Sequence, residues 1–113
     1  FAALRKHLPM DVCSRDPARG KRALAEPPVA ADVQRIVDIW SDCRKRHGHS
    51  GDFLFGKWGA ADAIYAPVAS RFTTYEVPLS GAAAAYRAAV MAMPAMADWI
   101  TAAKAETWVI TYE

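Results

Sequence analysis

The stretch FLFGKWGAADAIY, residues 53 to 65, decides how this chain is read, because one carboxylate, Asp62, stands three positions past Gly59 at the mouth of a small, apolar run. A helix leaves its first N–H groups without acceptors, and at a buried helix start water does not supply them cheaply. A carboxylate at the third helical position can reach back to the N-cap N–H. With Gly59 as N-cap, Asp62 holds that position, and Trp58 and Ala63 stand where a hydrophobic staple would form. Glycine is tolerated at the N-cap but has no side chain to complete the reciprocal bond. Asp62 therefore reads as structural, since no second acid close by makes it a catalytic pair or a metal site.

Outward from this start, AADAIYAPVASRF (residues 60 to 72) carries no charge between Asp62 and Arg71 and places small residues on every side of the helical wheel. Such a helix is expected to be buried all round and central to a bundle, with a kink between Ala63 and Pro67. Arg71 near its end is placed to pair inward or to bond helix-end carbonyls. On the N-terminal side, Val29, Val33, Ile36, Val37, Trp40 and Cys43 recur at helical spacing and predict a long helix, closed by Arg44 to His47 and Gly48. Phe1, Leu4 and Leu8 predict the end of another helix, stopped by Pro9, so the sequence is expected to open inside a helix. Residues 10 to 28, with Asp16-Pro17, Gly20 and Pro27-Pro28, read as a long loop. On the C-terminal side, Ser80 is a candidate cap for a helix reaching about Met93, and Pro94 for the first position of a last one. Trp108 to Tyr112 reads as a strand or an extended tail. The expectation is one all-α domain over residues 1 to 113, a bundle of about five helices.

Composition agrees with this class: 53% of residues are hydrophobic and 23% charged, and Ala, the best helix former, dominates. No apolar run approaches the roughly 20 residues of a membrane span. The net charge is +2, and the basic clusters at Arg15 to Arg22 and Arg44 to His47 lack the interleaved aromatics of a single-strand nucleic-acid surface. Cys13 and Cys43 form no C-x-x-C pair and read as reduced thiols of a cytoplasmic protein. Cys13, near four basic residues, is either a plain loop thiol or a reactive one, and Cys43 lies on the apolar stripe. His47, His49 and Asp52 reach one metal only if their loop folds back.

The stretch FLFGKWGAADAIYAPVASRFTTY, together with Tyr86, PAMADW at residues 94 to 99 and Ala-Lys-Ala-Glu at 103 to 106, resembles the all-helical C-terminal domain of bacterial glutathione S-transferases. In that family a capping box and staple open the central helix, with Ser or Thr where this chain has Gly59. The opening FAALRKHLPM is similar to the second half of the helix that lines the cleft between the two domains. The resemblance implies a detoxifying enzyme whose separate thioredoxin-like N-terminal domain binds glutathione and supplies the catalytic Ser, Tyr or Cys, none of it in this sequence. The helical domain's share is the apolar wall for a small hydrophobic electrophile and part of a homodimer surface, with no activity alone. By position, Phe1, Ala2 and Arg5 would face the cleft, Arg5 attracting a glutathione carboxylate or an anionic product; the alternative for Arg5 is an ion pair on the helix surface. Met10, Trp108 and Tyr112 are further pocket candidates, each with plain core packing as its alternative. Two other functions stay open: a non-catalytic interaction module of the same fold, and a glutathione-dependent isomerase or peroxidase.

Overall fold

The computed structural model describes residues 2–11 and 14–106. They form six helices and, among the described residues, no strand: α1 (Ala2–His7), α2 (Pro17–Leu24), α3 (Pro27–His47), α4 (Ala60–Thr74), α5 (Gly81–Met91) and α6 (Pro94–Ala105). The long α3 is the spine, with α1, α2 and α5 packed on it; α5 also packs on α4 and α6. At the centre Trp40 is fully buried and meets the rings of Tyr65, Phe72 and Tyr86 at centroid separations of 5.8, 5.5 and 4.8 Å. The contacts with Tyr65 and Tyr86 are edge-to-face and that with Phe72 is tilted; aromatic pairs contribute about 0.5–1.5 kcal/mol each beyond area burial. The described residues form an all-α fold, as expected, with six helices where about five were expected.

The added helix is α2, in the segment read as loop. Asp16 is its N-cap and accepts the Arg19 N–H at 3.0 Å, while Pro17 supplies the first helical residue. Proline fits there because that N–H has no intrahelical partner anyway. The same logic moves the start of α3 back to Pro27-Pro28. Gly20 faces the α4 exit so closely that a Cβ would lie 2.2 Å from the Tyr75 carbonyl oxygen. The close packing of α2 therefore depends on a missing side chain, which is why helix propensity argued against this segment.

Asp62 is at the third position of α4 with Gly59 as N-cap, as the sequence reading required. Its carboxylate is fully buried and accepts three hydrogen bonds. Gly59 N–H donates at 2.8 Å, Leu54 N–H at 3.1 Å and the Tyr86 hydroxyl at 2.8 Å. One side chain thus starts α4, fixes the loop before it and joins α4 to α5. Burial, and then the bond to Asp62, raise the Tyr86 phenol far above its ordinary pKa of 10.0. Two expectations need correction. The helix is not buried all round: Ile64 is 72% exposed, and Ala60 and Ala63 are exposed too. Trp58 and Ala63 are both exposed, and Trp58 packs edge-on against Phe53 at 5.1 Å, which draws it into the preceding loop. α4 runs unbroken through Pro67.

The far end of α4 closes on Tyr75 with Glu76 at φ 48°. Val77 N–H donates to Phe72 O at 2.9 Å and Glu76 N–H to Thr73 O at 3.3 Å, the two bonds of a Schellman cap. Buried Val77 and Phe72 supply its apolar contact. Pro94 opens α6 at its first position, as expected; Ser80 is the N-cap of α5, but its side chain makes no capping bond. Before α4, Arg44 Nη1 donates to the carbonyls of Gly48, Gly51 and Phe53 at 3.1, 2.6 and 2.5 Å and gathers the turn-rich loop around one guanidinium.

Candidate functional site

The site is built from α1 and the chain leaving it. At its start, Leu4 N–H donates to Asp32 of α3 at 3.0 Å. Beyond it the exit segment has carbonyls facing four side chains from elsewhere. Arg19 Nε donates to His7 O at 3.1 Å, Arg71 Nε to Leu8 O at 3.0 Å, Tyr75 Oη to Pro9 O at 2.6 Å and Thr74 Oγ1 to Asp11 O at 2.5 Å. Bonds from a guanidinium to a helix-end carbonyl are charge-assisted and about twice as strong as neutral ones. Leu4 and Leu8 are fully buried beneath, so the opposite face of α1 and residues Pro9 and Met10 are held in one place.

That face borders an open groove of about 420 Å³, lined by Ala2, Arg5, Lys6, Pro9, Met10 and Arg71. Ala2, Arg5 and Met10, proposed from position alone, thus come together. Phe1 and Trp108, with Tyr112, lie outside the described residues. Lys6, Pro9 and Arg71 are additions. Lys6 is legible as the neighbour of Arg5, but nothing in the sequence ties Arg71 to a chain segment 63 positions away. Met10 is half-buried, whereas Arg5 is exposed and makes no ion pair among the described residues. Three cations and no acid line the groove, so it favours an anion. A second groove of about 280 Å³ continues past Lys6 to His7, Arg19 and Arg22, with Glu26 at its edge.

Other candidate chemistry disperses. Among the described residues no group of three or more His, Cys, Asp or Glu side chains is placed to hold a metal ion. His47 packs its ring against Phe55 at a centroid separation of 5.3 Å. Cys43 is a free thiol, half-buried, and burial raises its pKa. Cys13 lies outside the described residues. Among the described residues no helix is long and apolar enough to cross a membrane. The chain matches no family model, no curated protein and no solved structure, so its reading rests on its own residues and their geometry.

Proposed function

We propose that this chain is the helical C-terminal domain of a glutathione S-transferase-like cytoplasmic enzyme, providing one wall of the electrophile pocket. The observation that carries the proposal is the meeting of Ala2, Arg5 and Met10 in one groove. Its two halves suit conjugation chemistry. Ala2, Pro9 and Met10 offer apolar surface to an electrophile, and excluding water there sharpens attack by a thiolate. Arg5, Lys6 and Arg71 attract the carboxylates of glutathione or of the conjugate. Asp62 supports the same reading, since it opens α4 in the manner the resemblance implies. The thiolate-stabilising group would belong to the preceding thioredoxin-like domain, and the helical domain alone would be inactive.

The test is turnover of glutathione and 1-chloro-2,4-dinitrobenzene by the full-length protein, wild type and Arg5→Ala. Loss of the guanidinium should raise KM for glutathione or the electrophile by roughly three- to tenfold with kcat little changed, the pattern of lost uniform binding. Unaltered kinetics would remove Arg5 from the site. A full-length protein that neither binds glutathione nor turns over such substrates would instead favour a docking module of the same fold.

A further inference from the structure

Ser70 and Arg71 are successive residues of α4, about 100° apart around the helix, and border different spaces. While Arg71 lines the α1 groove, Ser70 and, one turn on, Thr74 line a separate cavity of about 240 Å³ between the α4 end, α5 and α6. Ser70 is 2% exposed. No hydrogen bond ties its hydroxyl among the described residues, and the oxygen opens onto the cavity, whereas its neighbour Thr73 bonds back to Ala69 O at 2.9 Å. A hydroxyl that opens onto a cavity can exchange a water for a polar ligand atom at little cost. Arg15 and Lys104 also line the cavity, and no acid does. Asp11, the nearby carboxylate, accepts the Ser14 hydroxyl at 2.6 Å. The remaining wall is apolar, from Met91 and Ile100.

We propose that this cavity binds a small organic monoanion, its carboxylate held by Arg15, Lys104 and the Ser70 hydroxyl and its short apolar body against Met91 and Ile100. Size sets the class, because the volume falls below the roughly 300–1,000 Å³ of drug-sized pockets. The site is independent of the α1 groove and of the activity proposed for it.

Backbone amide NMR of the protein during titration with sodium benzoate, with benzamide as the uncharged control, tests the proposal. Expected are saturable shifts at Ser70, Thr74 and Ile100 with a Kd of about millimolar. Benzamide should give no saturation. Arg15→Gln and Lys104→Gln, both at exposed positions, should each weaken binding about tenfold, and Ser70→Ala several-fold. Absence of saturation, equal binding of benzamide, or shifts confined to Arg5 and Lys6 would overturn the proposal. Should Ser70→Ala fail to fold by circular dichroism, the two surface variants decide it.

Discussion

Asp62 ties the start of α4, the loop before it and α5 together through one carboxylate. Its role as an acceptor for the start of α4 was legible from its place after Gly59, whereas its bonds to Leu54 and Tyr86 were not, because they depend on how a loop and a second helix return to it. The added partners change the expected cost. Asp62→Ala leaves two buried donors, Leu54 N–H and the Tyr86 hydroxyl, and the partly buried Gly59 N–H without an acceptor, and at about 1–3 kcal/mol per unsatisfied buried group the loss should reach about 3 kcal/mol or more. Tyr86→Phe removes one donor and should cost about 1–2 kcal/mol. Urea unfolding of both variants and the double variant measures the coupling; strict additivity would refute a shared network.

At the scale of elements, periodicity revealed α3, and the caps of α4 and α6 were readable from Gly59, Asp62 and Pro94. What escaped was α2, because proline and glycine were read as turn formers when Pro17 was filling a first helical position and Gly20 was admitting the Tyr75 backbone. α4 differs from its expected burial for a related reason: a segment without charge still meets solvent, as Ile64 does. The Schellman cap of α4 suggests an improvement. Glu76 sits at a φ that only glycine adopts freely, so Glu76→Gly should stabilise the protein by about 0.5–1 kcal/mol, read as a higher urea midpoint with unchanged slope. An unchanged or lowered midpoint would show that Glu76 gains more from its side chain than it loses in its backbone.

For the whole molecule, the half of the site on α1 could be read from sequence because Ala2 and Arg5 are one helical turn apart; Arg71 could not, since folding alone brings it there. Stability should respond to alkali in a defined direction. Tyr65, Tyr75 and Tyr86 are all raised above their ordinary 10.0, each mainly by burial. A phenol with a raised folded pKa contributes its full stabilisation below the unfolded value and loses it as pH climbs toward the folded one, because the unfolded chain then binds fewer protons. Thermal midpoints should therefore hold up to about pH 9 and fall above about pH 10, with a shallower fall in Tyr86→Phe. A flat profile to pH 11 would contradict this burial of the phenols. Phe55, Trp58, Ile64 and Trp99 leave large apolar side chains exposed, and self-association is expected on light scattering at tens of micromolar. A monomer throughout that range would speak against the dimer surface in the proposed function.

The chain leaving α1 is tied through its carbonyls at His7, Leu8, Pro9 and Asp11. Pro9 has no amide hydrogen, and Met10 donates no backbone hydrogen bond among the described residues. Amide hydrogen exchange reads donors, not acceptors. The Met10 amide should accordingly exchange at nearly the rate of an open loop while the atoms around it stay put. At this groove, exchange protection and positional order come apart, and an exchange map alone would mistake one of its fixed walls for a moving one.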